Sequence, residues 1–394
     1  MVKRSTVRIR RSRVAISAPI PPEICAIICE MVADRGSLLM LCRTSSVFRV
    51  EAQRLLYRTV DLSEKPVCAR KLNAWAAVVS MHAYLAGFVH SLVLRLPDMV
   101  SFEAYTANKL GRALSKCVNL KELRILAEEA GSVVPGGWIL NGCSFRLTHF
   151  ENHYFDNTVI REFWKRQTEL LVVSSEHNVC AMDPDQLLPR LIAVKTDSIE
   201  QLPVKRLLER VELPVWVDLA PLQQYQASLT TLNLVRNWIS LNPRFQIGAV
   251  MKVVAETLPN LEHFGIIEME RCRDKTVYWN DKTSQAVLQK FLGLQTLALQ
   301  MQSQSCFLIE GANNPRHHFR CSTDVCDFGR EIMTMCSTLR RVAICVKFNA
   351  VGLNVLTRSQ PGGTICEEPG SWPGIETFSM FWKPSTVPLP VHED

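Results

Sequence analysis

The sequence predicts an α/β chain: a small N-terminal bundle of three helices, then an irregular repeat solenoid, a curved parallel sheet with helices on its outer side. Three observations carry that prediction. At EAQRLLYRTVDL, residues 51–62, a helical apolar stripe runs straight into an alternating strand with no Gly or Pro between. A short pattern, apolar-x-x-apolar-x-apolar, recurs through most of the chain. Amphipathic helices stand before many of its copies, and each can bury its apolar side only against a neighbour.

The bundle begins in APIPPEICAIICEMV, residues 18–32. Pro21 and Pro22 fit the start of a helix, where a missing N–H is no loss. Glu23 follows in the first turn, where a negative charge suits the helix dipole. Ile24, Ile27, Ile28 and Met31 then fall on one face at i, i+3, i+4 and i+7. Asp34, Arg35 and Gly36 break this helix. SLLMLCRTSS, residues 37–46, is a second one, with Ser37 as its N-cap and Leu38, Leu39, Leu41 and Cys42 as its apolar positions. The third carries Phe48, Ala52, Leu55 and Leu56 on one stripe, and its strand is read from Tyr57 to Leu62. Three helices in so short a span bury little alone, so the bundle needs something to dock on.

The repeat copies come at unequal intervals. Val89/Leu92/Leu94, Leu120/Leu123/Ile125, Leu261/Phe264/Ile266, Leu294/Leu297/Leu299, Leu339/Val342/Ile344 and Ile375/Phe378/Met380 are full copies. Weaker ones are Leu147/Phe150, Leu191/Val194 and Leu229/Leu232/Leu234, and apolar runs at 170–173 and 211–215 suggest two more. Val250, Val254 and Leu258 predict one outer helix face. Val287, Leu288, Phe291 and Leu292 predict a second, and Phe328, Ile332, Met335 and Leu339 a third. The expected organisation is a basic disordered tail over 1–18, the helical module over 19–62 and a connecting helical segment over 63–87. A solenoid of about ten repeats follows over 88–384, then a disordered tail over 385–394. In this scheme the third helix caps the array and RTVDL is its edge strand.

IPPEICAIICEMV, SLLMLCRTSSVF and EAQRLLYRTVDL, in that order and spacing, resemble the F-box-like segment of fungal proteins. The repeats resemble the divergent leucine-rich-repeat regions that follow such segments. Ile20 stands where that family usually has Leu, Phe48 where many members have Trp, and Ser45 and Ser46 where an apolar residue is common. The resemblance implies docking onto a Skp-type adaptor and, through it, a cullin–RING ubiquitin ligase, with the repeat surface holding a target protein. By position it makes Ile20, Pro21, Ile24, Ile28, Leu38, Leu39 and Phe48 the adaptor-binding residues. The alternative is a repeat scaffold for protein–protein interaction in which the helical module is only a cap.

Composition narrows the other classes. Of 394 residues 47% are hydrophobic, enough for a large core. Fourteen cysteines are too dilute for a disulfide scaffold, and with no secretory signal they read as reduced and mostly buried. Six of the 45 basic residues lie in the first thirteen positions, which leaves 39 against 38 acidic ones in the rest. A near-neutral body gives no nucleic-acid surface. The basic tail reads as a functionless segment, a nuclear-import signal or a transit peptide. Without an apolar run of 18 residues no membrane span is expected, and the location expected is cytoplasmic or nuclear. No P-loop, G-x-S-x-G or G-x-G-x-x-G occurs. His317, His318, Cys321 and Cys326 match no common zinc spacing, Cys25 and Cys29 read as core, and Asp183-Pro184-Asp185 as a turn. PGG at 135–137 and 361–363 reads as loop tips. No enzyme activity, cofactor or metal is expected.

Overall fold

Helix α1 spans Pro22–Met31, α2 Arg35–Leu41 and α3 Ser46–Arg58. Pro21 and Pro22 start α1 as expected. The second helix starts two residues before Ser37. Asp34 is its cap, and its carboxylate accepts from the Ser37 N–H at 2.6 Å. A carboxylate at that position is a strong acceptor for the free N–H groups of the first turn, so Arg35 and Gly36 join the helix rather than break it. The Ser45 hydroxyl caps α3, accepting from the Phe48 N–H at 3.3 Å. Tyr57 and Arg58 stay helical, and the strand begins only at Thr59.

The computed structural model describes residues 20–32, 34–65, 69–97, 104–128, 137–175, 188–215, 217–236, 244–268, 276–280, 286–301, 307–310, 322–346, 352–360 and 363–369. Both expected tails lie outside these, as do Ile375/Phe378/Met380, Asp183–Asp185, His317, His318, Cys321 and all of the PGG tips but Gly137 and Gly363.

The connecting segment supplies α4 (Ala69–Met81) and α5 (Ala83–Ala86). The main sheet follows the chain in order. Its strands are β1 (Thr59–Leu62), β2 (Ser91–Leu96), β3 (Glu122–Ala127), β4 (His149–Asn152), β5 (Val172–Ser175), β6 (Ala193–Thr196), β7 (Arg210–Pro214), β8 (Thr231–Arg236), β10 (His263–Glu268), β12 (Thr296–Met301), β14 (Arg341–Val346), β15 (Gly352–Arg358) and β16 (Ile365–Pro369). Strands β9 (Arg244–Gln246), β11 (Thr276–Asn280) and β13 (Phe307–Glu310) form a second, three-stranded parallel sheet.

Register explains why the main sheet is continuous. Val60, Leu92, Leu123, Phe150, Val173, Val194, Val211, Leu232, Phe264, Leu297, Val342 and Leu356 pair in sequence across twelve strands. All twelve are buried in one core with the helices. Each strand alone is four to seven residues long, too short to hold a core. Stacked, they bury a single row, and each large aliphatic in it contributes roughly 1.5–3 kcal/mol. The arrangement is a leucine-rich-repeat-like solenoid.

Three features differ from the sequence expectation. The strands run parallel through β14, but β15 and β16 are antiparallel, so the array ends in a meander. Among the described residues, full outer helices stand in the long repeats: α4, α6 (Ala104–Lys116), α8 (Ile247–Thr257) and α9 (Ser322–Met335). From Val194 to Val211 is only 17 residues, too few for a strand, two turns and a three-turn helix. The connection there uses a 3-10 turn at Ile199–Gln201, the one between β7 and β8 another at Ala220–Tyr225, and the one between β4 and β5 a single-turn α7, Arg161–Trp164. Leu292, expected on a buried helix face, is 70% exposed. The helical turn at 286–288 ends before it, and Val287, Leu288 and Phe291 are the buried residues.

Candidate interaction surfaces

The three-helix module has two apolar layers. Cys29, Leu38 and Ala52 form its buried centre, with Val32, Leu41, Cys42, Phe48, Leu55 and Leu56 packed around them. The other layer faces outward. Ile20 is 49% exposed, Ile24 46%, Ile28 36% and Leu39 56%, and Pro21 is exposed too. The sequence reading missed Met40, the next residue along α2, at 61%. Two of the seven adaptor-binding candidates do not belong to this outer layer. Leu38 is buried at 6% and Phe48 is half-buried against the same core. The reason is the start of α2: with Asp34 as cap, Leu38 faces α1 and α3, and Leu39 and Met40 face away. Arg54 pairs with Glu30 at 2.9 Å, which ties α3 to α1, and with Glu51 of its own helix at 2.9 Å. Cys25 and Cys29 are buried, as core residues should be.

The sheet face away from the helix-packed core carries a second feature, which the apolar pattern does not reveal. One register row reads Arg124, Glu151, Ser174, Lys195, Glu212 and Asn233 on successive strands β3 to β8. Neighbours in the row lie about 4.8 Å apart, the distance between strands. Opposite charges therefore meet directly: Arg124 pairs with Glu151, Lys195 Nζ with Glu212 Oε1 at 2.9 Å, and the Asn233 amide donates to Glu212 Oε2 at 3.3 Å. Next to them Gly265 leaves room that a Cβ would take from the Asn233 side chain. His153, just beyond β4, meets Glu151 Oε1 through Nε2 at 2.8 Å.

Ser174, His153 and Glu151 thus form a Ser–His–carboxylate group. Ser174 Oγ also approaches His153 Nε2, at 3.3 Å. Serine and carboxylate share one ring nitrogen, whereas a catalytic triad uses one nitrogen for each. The group is an electrostatic clasp. Burial alone would push the Glu151 carboxyl up. The hydrogen bond and charge of His153, with Arg124 and Lys195, outweigh it and hold the group at about 2. The folded carboxyl therefore titrates below the ordinary 4.5. Its contribution to stability is complete above that value and is lost as pH falls toward 2. Glu151→Gln should flatten the acid limb of a plot of melting temperature against pH between about 4.5 and 2. Parallel limbs for wild type and variant would show that Glu151 is not held as an ion.

Among the described residues no group of three or more His, Cys, Asp and Glu is placed to hold a metal, and no helix is long and apolar enough to cross a membrane. Cys326 is buried in α9. Burial pushes the Cys117 and Cys143 thiols up to about 12, so both stay protonated and inert. No family model and no curated protein matches the chain. Among solved structures it is similar to the leucine-rich repeat-containing protein LegL7 from Legionella pneumophila, at 11% identity and a TM-score of 0.35, over 73% of this chain and 91% of that one.

Proposed function

We propose that the protein is a non-enzymatic adaptor: its N-terminal helices dock a Skp-type protein of a cullin–RING ubiquitin ligase, and its repeat surface holds a target. The observation that supports this reading is the outward apolar layer of α1 and α2. Ile20, Ile24, Ile28, Leu39 and Met40 stay exposed on a module whose buried apolar residues are Cys25, Cys29, Leu38 and Ala52. Large apolar side chains exposed together on one small module mark an interaction site. The direct passage of α3 into β1 makes the joint stiff, so a target on the repeats would keep a fixed geometry to the ligase. That same joint, with α3 packed on α5, favours the second reading, in which the module only caps the array.

Adaptor pull-down separates the two. Wild-type protein should bind a Skp-type adaptor, and Ile24→Lys with Leu39→Lys should abolish binding while the module stays helical. Each change removes an exposed apolar contact worth up to roughly 1.5–3 kcal/mol in a complex. Leu38→Lys should instead unfold the module, since Leu38 is core. No wild-type binding at tens of micromolar would sink the ligase reading and leave the cap.

A further inference from the structure

Three of the free thiols fall in the small N-terminal module: Cys25 and Cys29 on the inner face of α1, and Cys42 at the C-cap of α2. They differ in access. Cys25 and Cys29 are 2% and 0% exposed, while Cys42 is half-buried at the rim. Cys42 packs against the cluster of Cys29, Leu38 and Ala52, so thiols from two helices lie over one three-residue core. Hydrogen bonds between Cys42 and Arg49, from Arg49 Nε to the Cys42 carbonyl at 3.1 Å and from Cys42 Sγ to the Arg49 carbonyl, hold the rim thiol in place. We propose that Cys42 and Cys29 form a reversible disulfide on exposure to peroxide, stapling α2 to α1.

Cys29, and not Cys25, belongs to the cluster that Cys42 packs on. Cys25 and Cys29 lie one turn apart on an intact helix, with Cβ atoms about 5–6 Å apart, beyond the roughly 3.5–4.5 Å a disulfide needs. Only a pair across helices can close. Burial, followed by Glu51, Cys25 and Cys42, raises the Cys29 thiol above its ordinary value, so the first step falls to the accessible Cys42. Its thiolate attacks hydrogen peroxide: an S–O bond forms, the O–O bond breaks, and hydroxide leaves and takes up a proton. Cys29 sulfur then attacks the Cys42 sulfenic acid. The S–S bond forms, the S–O bond breaks, and the oxygen departs as water with the Cys29 proton. Two thiols and one peroxide give one disulfide and two waters. The bond would fix the angle between the outward faces of α1 and α2, whether or not an adaptor binds there.

The test treats the full chain with hydrogen peroxide, then maps disulfides by mass spectrometry of a non-reducing digest. The expected result is a Cys29–Cys42 linked peptide that dithiothreitol releases, kept in Cys25→Ala and lost in Cys42→Ser. Cys42 is a rim residue, so the serine variant should fold. Recovery of Cys42 as a free thiol or sulfinic acid, or linked to any cysteine other than Cys29, overturns the proposal.

Discussion

Leu297→Asp should lower the melting temperature of the repeat region by many degrees, and Val342→Asp should do the same. Leu297 sits in the middle of the buried row, paired with Phe264 on one side and Val342 on the other. Both residues are 0% exposed. The change removes roughly 1.5–3 kcal/mol of apolar burial. It also puts a carboxyl among Leu, Phe and Val, where it must be desolvated or take up a proton at further cost. Together these should reach several kcal/mol. In a stacked array each repeat leans on its neighbours, so amide hydrogen exchange should speed up in β10 and β14 as well as β12. Leu292→Asp is the control: at 70% exposure it should stay within about 0.5 kcal/mol of wild type. A Leu297→Asp melting point within a degree of wild type would show that the residue does not face the core.

How much of this was legible beforehand depends on which row a residue occupies. The first buried row is apolar on twelve successive strands, and it is why Leu123, Phe264, Leu297 and Val342 could be placed from sequence. The second row is not. Leu94 and Ile125 are followed by Asn152, Ser175 and Thr196 at the same level, and only later by Leu234, Ile266 and Leu299. Those three polar residues are nonetheless buried. Asn152 Nδ2 donates to the Phe155 carbonyl at 2.7 Å, and Asn157 Nδ2 to Ser175 Oγ at 2.9 Å, so the burial carries no orphan donor there. A pattern search for alternating apolar residues sees only half the repeat, hence the weak copies at Leu147/Phe150 and Leu191/Val194. The charged row on the opposite face was illegible for a related reason. It exists only in register, through residues 17 to 27 positions apart in sequence. The antiparallel end was missed because alternation is the same in parallel and antiparallel strands. In the module, the apolar residues of α2 were legible but their directions were not. Whether Leu38 or Leu39 faces outward depends on where the helix begins, and Asp34 settles that.

Glu268→Ala should be among the most damaging single changes outside the apolar row, and its partner change should partly reverse it. Arg236 ends β8 and Glu268 ends β10, each two residues beyond a core position, Leu234 and Ile266, on the helix-packed face. They are paired in register and joined through Arg236 Nη1 and Glu268 Oε1. Their side chains are 0% and 1% exposed. Two charges withdrawn from water are tolerable only while each answers the other. Removing the carboxylate takes the opposite charge away from the buried Arg236 guanidinium, and breaking a buried pair in this way costs about 3–5 kcal/mol. Replacing both partners with apolar side chains of similar volume, Arg236→Met with Glu268→Leu, removes both charges together. The double variant should therefore lie well above Glu268→Ala in stability, near wild type or beyond it. Hydrogen exchange at β8 and β10 reads the difference locally, which matters in a repeat array whose unfolding need not be two-state. If Glu268→Ala costs less than about 1 kcal/mol there, water reaches the pair and the ends of β8 and β10 are not closed over.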